Sequence, residues 1–471
     1  MARVNCRTGK ENWLNQSGPY HLIGIGGSGM SAIAQVLLER GCRVSGSDVR
    51  RTQVTERLKT KGARVFIGHG EHHLNGAQTV VVSAAVKEDN PEVQAALRSG
   101  IRVLSRGEML GLLMEGTYGI AVAGTNGKTT TSAMVATVLD RCGLDPTFLL
   151  GGDGLNLGGN ARLGGGPYLV AEACEAYGSF LHLRPAVAVV TNIDDDHLDH
   201  YGSIEGVRAG FSQFLSQVQA DGWTVACLDC PNVRLVIPGL RCNTVTYGLT
   251  GDADFTAVDI RREEWGATYT LVHRGCPGPR VRVRVPGYQN VANSLAALAV
   301  AWIVGVRMDD AAAAMGEFLG VARRFELLGE AGGVRVVDDY GHHPKAIVWT
   351  LKTAREWLSP ARLFVVFQPH LYSRTLQLMD DFAKCLADAD VLVVTDVYKA
   401  REEPIPGATG QELVRTARVR RPGKVTEFVS PKESIPEFLL PQLHAGDVVL
   451  LLGAGDIYEI GGKLLDLLRG S

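Results

Sequence analysis

Short apolar runs recur along this chain, each closed by glycine or acids and most followed by residues at helical spacing. The first, His21-Leu22-Ile23-Gly24-Ile25, leads through Gly26-Gly27-Ser28-Gly29 into a helical stretch at 30–40. Arg43-Val44-Ser45-Gly46-Ser47 follows and ends at Asp48, and residues 79–83 and 101–105 read as further buried strands. A second series opens with Ile120-Ala121-Val122-Ala123 and continues at 168–172 and 186–193. Within it, residues 151–166 are rich in glycine and are expected to form a flexible loop near a ligand. Residues 221–284 carry alternating strand and turn signals, a smaller β-rich portion, and Pro286 to Asn293 open a long alanine-rich helix spaced for the core. A third series lies at 334–340, 363–367, 391–394 and 448–452. Strands alternating with helices predict an α/β fold built on parallel sheets.

Two glycine turns give the first two series a chemistry. Gly24, Gly26 and Gly29, with Asp48 about 20 residues on, form a dinucleotide-binding fingerprint. A diphosphate rests on the helix N-terminus and the acid meets a ribose hydroxyl, so Gly26, Gly27, Ser28, Gly29, Met30 and Asp48 are candidate binding residues. NAD and UDP-linked sugars satisfy that geometry alike. The second turn, Gly124-Thr125-Asn126-Gly127-Lys128-Thr129-Thr130, is a shortened phosphate loop, with Val122 where the usual pattern has its first glycine. Its backbone N–H groups can close around phosphate oxygens, Lys128 adds a mobile charge, and the hydroxyl of Thr129 or Thr130 can complete a magnesium shell. ATP is the expected ligand.

Two neighbouring strands end in acids, at Glu172 and in Asp194-Asp195-Asp196-His197-Leu198-Asp199-His200, which suggests metal ligands; helix capping suits some of these aspartates equally. In the third series, acids, tyrosine, histidine and arginine gather at three strand ends and predict a binding face. The expected architecture is a polar lead-in (1–18) and three domains. These are an N-terminal Rossmann-like domain (19–110), a central P-loop ATPase-like sheet (111–322) and a C-terminal Rossmann-like domain (323–471).

Composition narrows the class. With 471 residues, 45% hydrophobic and 21% charged, the chain is that of a soluble multidomain protein. A net charge of -2 gives no electrostatic argument for nucleic acid or for an anionic membrane. No apolar run approaches the roughly 18–20 residues of a membrane span, and the lead-in lacks the apolar centre of a secretory signal. Nine cysteines without paired metal-type spacing fit reduced thiols, so the expected location is the cytoplasm.

Taken in order, these motifs resemble those of the Mur ligase family. The likeness rests on the run from Ile23 to Ser31, the phosphate loop, Arg323-Arg324-Phe325-Glu326, and the runs at 338–344, 367–375 and 396–407. It implies a domain for a UDP sugar, a central ATPase and a domain for an incoming amino acid. It further implies ATP and Mg2+, with UDP-N-acetylmuramate and L-alanine as substrates of a monomer or homodimer; a preformed tripeptide in place of alanine is the alternative. The muramate carboxylate would attack the γ-phosphate, and the amine would then displace phosphate from the acyl phosphate inside a closed, dry cleft.

Residue by residue, Thr129, Glu172 and His197 match family metal positions, and Lys128, Glu172, His197 and His342 form the expected catalytic set. Asn293 matches a residue at the adenine, and Arg324 and Asp338 match ATP-side contacts. Tyr340, His342, His370 and Arg374 match the region that orients substrate and amino acid, where an arginine can hold a carboxylate. The chain departs from the family pattern at Asn126, where histidine is usual, at Cys174 and Tyr177, where carboxylates are usual, and at Leu371, where arginine is common. Cys174 beside acids is expected to pack, not to act as a nucleophile.

Overall fold

The computed structural model describes residues 18–400 and 402–470, so the expected lead-in lies outside the described residues except for Gly18. Five parallel strands form the first sheet: β1 (Tyr20–Ile23), β2 (Val44–Asp48), β3 (Arg64–Ile67), β4 (Thr79–Val82) and β5 (Arg102–Ser105). Their order is β3-β2-β1-β4-β5, so strand order reverses beside β1 and the first glycine turn leaves the sheet at that switch point.

The second sheet has ten strands: β6 (Tyr118–Ala123), β7 (Thr147–Gly154), β8 (Gly159–Arg162), β9 (Tyr168–Glu172), β10 (Val187–Val190), β11 (Trp223–Cys227), β12 (Asn243–Tyr247), β13 (Phe255–Glu263), β14 (Gly266–His273) and β15 (Cys276–Val283). In the order β15-β14-β13-β12-β11-β10-β6-β9-β7-β8, β6 lies between the two strands that end in acids, β9 and β10. Ile120 to Ala123 are fully buried, which is why β6 reads as one apolar run instead of an alternating one. The helix Lys128–Arg141 follows it, and the helix Tyr288–Ile303 packs along that helix.

The third sheet comprises β16 (Glu326–Ala331), β17 (Val334–Asp339), β18 (Leu363–Phe367), β19 (Val391–Val394), β20 (Val425–Phe428) and β21 (Val448–Leu452), in the order β16-β17-β21-β18-β19-β20. Only β16 runs antiparallel to its neighbour.

The chain divides into two compact units. One holds the described residues up to Arg261, Thr268–Arg284 and Tyr288–Leu319; the other holds Arg262–Ala267, Val285–Gly287 and the described residues from Gly320 onward. The first and second sheets thus share a unit, with one apolar core running from Tyr20 and Leu37 through Phe180 and Phe211 to Val236.

One expectation changes. Residues 151–166 are not a flexible loop: most of the segment belongs to the hairpin of β7 and β8, pinned to the helix Ser28–Glu39. Asn160 Nδ2 donates to Ser28 O at 2.9 Å, Gln35 Nε2 donates to Ala161 O at 2.5 Å, and Arg57 pairs with Asp153 at 3.1 Å. Its glycines serve close approach, since a Cβ on Gly164 or Gly166 would strike the backbone of residues 144–146. Residues 221–284 are the β-rich portion expected within the central domain, and they supply β11 to β15 of its sheet.

The end of β2 is held by a buried carboxylate. Glu92 is fully buried; it accepts from Ser47 Oγ at 2.5 Å and lies 2.6 Å from His73 Nδ1, 3.2 Å from His69 Nδ1 and 3.6 Å from His21 Nε2. Burial alone would raise its pKa, but the nearby His21 ring and hydrogen bonds with Ser47 and His73 outweigh that and hold it at about 2. A folded-state pKa below the unfolded one gives stability that is complete above about pH 4.5 and is lost as pH falls toward 2. Glu92→Gln is expected to remove about 3 kcal/mol of stability at neutral pH, at ~1.4 kcal/mol per pKa unit, and to flatten this acid limb. Denaturant melts of both proteins at pH 7 and pH 3 check it; equal acid sensitivity would refute it.

Candidate active-site residues

The phosphate loop is clamped from the end of β10. Gly124 has φ 138° and Gly127, which caps the helix Lys128–Arg141, has φ 84°, two left-handed positions that favour glycine. A Cβ on Gly124 would lie 2.0 Å from Thr191 Oγ1, so only glycine lets the strands approach this closely. Thr125 N donates to Asn192 O at 3.0 Å and Asn126 N to Asn192 Oδ1 at 2.9 Å. Thr191 Oγ1 and Asn192 Nδ2 donate to Asn126 O, and Asp194 N to Thr125 Oγ1. Asn126, exposed, and Thr130, half-buried, sit on the turn as expected. Asn293 lies below it, where a Cβ on Gly127 would be 3.0 Å from Asn293 Oδ1. This places Asn293 against the phosphate turn.

Lys128 Nζ donates to Gly124 O at 2.5 Å and Thr125 O at 3.2 Å, and pairs with both oxygens of Glu175 at 3.0 and 2.9 Å. Burial would lower its pKa, but Glu175, with Cys174 and Glu172, more than offsets that and raises it. Glu175 was not among the expected site residues. It lies between the two departures from the family pattern, Cys174 and Tyr177.

Thr129 and Glu172 do come together. Thr129 Oγ1 donates to Glu172 Oε2 at 2.7 Å, and Gly151 N donates to the same oxygen at 3.1 Å. A Cβ on Gly151 would lie 2.3 Å from that oxygen and 2.9 Å from Thr129 Oγ1, so the hairpin closes a cradle that only glycine leaves open. Hydroxyl and carboxylate oxygens are the donor set of a small hard cation, and the pair fits Mg2+. His197 stands at the start of the helix Leu198–Tyr201 with φ 53°, its N–H held by Asp196 Oδ1 at 2.8 Å. No group of three or more histidine, cysteine or acidic side chains is gathered for a metal among the described residues. Within the expected triad, a hydrogen bond joins Thr129 and Glu172.

At the first glycine turn, Gly26 N donates to Asp48 Oδ2 at 2.9 Å, so Asp48 closes the turn as well as standing at the end of β2. Gly27 and Ser28 are exposed at the helix start. Met30 is only 1% exposed: its side chain is core, and its backbone is what is left to meet a ligand at the helix start. A Cβ on Gly29 would lie 2.6 Å from Arg106 Nη1, which puts a cation at this helix N-terminus that sequence reasoning missed.

The second unit gathers its own cluster. Arg374 Nη1 lies 3.4 Å from His370 Nδ1, the rings of His370 and His342 are 5.9 Å apart, and Tyr398 stacks on His370 at 5.6 Å. His342 Nδ1 meets Tyr340 O at 2.9 Å; a carbonyl only accepts, so the proton sits on Nδ1 and Nε2 is left as an acceptor. Burial, with Arg374 beside it, pushes His342 down to about 3, so the ring is neutral.

Asp338 pairs with Arg323, at 3.3 Å, and Arg324 lies over the Tyr340 ring instead. Burial raises Asp338 to about 7 against the pull of Arg323, and Asp338 Oδ1 is buried with no hydrogen-bond partner among the described residues. Three non-glycine residues here have positive φ, Arg323 (64°), Phe325 (50°) and Leu371 (70°), the backbone strain common around ligand sites.

A phosphate loop with two ordered carboxylates, beside sheets with ligand-binding switch points, defines a nucleotide-dependent enzyme class. The chain belongs to the Mur ligase family: models described as its catalytic, middle and glutamate ligase domains match residues 19–118, 122–301 and 323–455. It is 47% identical to the UDP-N-acetylmuramate–L-alanine ligase of Geobacter sp. (strain M21), covering 96% of this chain and 98% of the relative. It is 48% identical to the enzyme of that name from Solibacter usitatus, covering 95% of each. Among solved structures, the UDP-N-acetylmuramate-alanine ligase of Thermotoga maritima superposes with TM-score 0.82 at 29% identity, covering 96% of this chain and 99% of that one. A murein peptide ligase from Psychrobacter arcticus gives 0.72 at 25% identity, covering 96% and 99%.

The Gly151 cradle gives a direct test. Gly151→Ala is expected to push Glu172 off Thr129 and to lower nucleotide turnover at least about tenfold while the protein still melts cooperatively. Unchanged turnover in a folded variant would remove the Thr129–Glu172 pair from the site.

Proposed function

We propose that this chain joins L-alanine to the muramate carboxylate of UDP-N-acetylmuramate, converting ATP to ADP and phosphate through an acyl phosphate. The observation that carries this reading is the full-length likeness, 47–48% identical, to relatives that bear that name. In the first step a carboxylate oxygen attacks the γ-phosphorus and the bond to ADP breaks. In the second the amine attacks the acyl carbon, loses a proton, and phosphate departs.

Each residue role is part of the proposal. Lys128 neutralises the transferring phosphoryl group, held by the backbone from Gly124 to Thr130. Mg2+, when bound, would lie at Thr129 and Glu172, with His197 as the matched third position, and would supply further charge neutralisation. The glycine turn at 26–29, with Arg106 beside Gly29, would take the UDP diphosphate at the helix N-terminus. Arg324, Asp338 and Asn293 serve the nucleotide, and Tyr340, His370 and Arg374 orient the amino acid, with Arg374 on its carboxylate. His342, neutral and with Nε2 free to accept, suits a hydrogen bond from the amine better than delivery of a proton. The proposed domain limits are 19–110, 111–322 and 323–471, and the proposed location is the cytoplasm; no helix among the described residues is long and apolar enough to cross a membrane.

The tripeptide-adding alternative has the weaker support, since the murein peptide ligase superposes less well than the alanine ligase. Phosphate release from ATP, magnesium and UDP-N-acetylmuramate, with L-alanine, glycine or the tripeptide, separates the readings. L-alanine is expected to stimulate release and to give UDP-muramoyl-alanine by mass, and Lys128→Ala is expected to lose it by about 100-fold or more. Stimulation by the tripeptide alone would move the assignment.

A further inference from the structure

An ammonium group has three N–H donors. Those of Lys128 are met by Gly124 O, Thr125 O and the two oxygens of Glu175. The pair is sequestered, with the Lys128 side chain 13% exposed and that of Glu175 2%. Any phosphate oxygen that takes a hydrogen bond from Lys128 therefore does so by displacing one of these acceptors.

Glu175 is also firmly presented. Its carbonyl accepts from Tyr201 Oη at 2.6 Å and from Gly178 N at 2.9 Å. The turn after it passes through Tyr177 (φ 53°) and Gly178 (φ 65°), both left-handed. Phe180 N closes the turn onto Cys174 O at 2.9 Å, and Phe180 itself is fully buried against Phe211 and Phe214. Three residues earlier, Glu172 engages Thr129, so two carboxylates divide the two adjacent loop side chains between them. Glu172 takes the hydroxyl and Glu175 takes the charge.

We infer that Glu175 is a positioning residue that competes with the nucleotide's phosphate chain for Lys128. It holds the lysine charged and curled over the loop, and each nucleotide that binds must draw the ammonium away from it. The carboxylate is then a fixed negative charge close to the incoming phosphates, and affinity is set below what the loop alone would give. This inference rests on the ATP reading above.

The test is equilibrium binding of Mg-ADP by calorimetry at neutral pH to the parent, Glu175→Gln and Glu175→Asp, with thermal melts of each. The Gln variant is expected to bind several-fold more tightly, with Asp between it and the parent. A merely structural role would not tighten binding in this order.

Equal or weaker affinity in a Gln variant that melts cooperatively overturns the inference. If the Gln variant does not fold, the Asp variant decides: its shorter reach loosens the pair, and affinity no better than the parent's overturns it. A parent that binds no Mg-ADP overturns the ATP reading instead.

Discussion

The missing side chain of Gly124 is the constraint on which the first unit's chemistry depends. With any Cβ there, the start of the phosphate loop and the end of β10 would collide at Thr191. Without one, Thr191 and Asn192 reach across and fix Thr125 and Asn126 through both backbone and side-chain hydrogen bonds. The loop is therefore ordered by its neighbour strand, and its shape does not wait on a ligand.

The same principle, backbone approach permitted by glycine, links the two glycine turns of the first unit. The β7–β8 hairpin touches Glu172 through Gly151 at one end and the helix Ser28–Glu39 through Asn160 and Ala161 at the other. A displacement of that hairpin would be felt at both the carboxylate of the phosphate loop and the N-terminus that follows the first glycine turn. The sheets are thus coupled through a packed element with hydrogen bonds at each end.

Much of this was legible in the chain itself. The buried strands, the α/β alternation, both glycine turns and the acid-ended strands announce themselves because apolar runs and glycines carry local signals. The partners of those turns do not. Glu175, Arg106 and Asn192 act across tens of residues, and nothing at their own positions distinguishes them from solvated charge or a polar loop. Residues 151–166 read as flexible because glycine in a sequence signals freedom, whereas here its role is proximity to the backbone at 144–146 and to Glu172. Arg323 and Arg324 are indistinguishable in sequence, yet it is Arg323, at positive φ, that pairs with Asp338. Met30 is a motif position whose side chain the core claims, leaving only its backbone to the turn.

Electrostatics separates the two units' clusters. In the first, a buried cation is compensated by carboxylates and kept charged. In the second, Asp338 is raised to about 7 and one of its oxygens is buried without a donor, even though Arg323 sits beside it, between Tyr340 and Tyr458. A packed interior seldom keeps an unsatisfied carboxylate oxygen, because each such group costs stability that an apolar or amide side chain would not. Next to backbone in left-handed conformations at Arg323 and Phe325, that oxygen makes Asp338 a candidate for a ligand's hydrogen bond on physical grounds, independent of any motif.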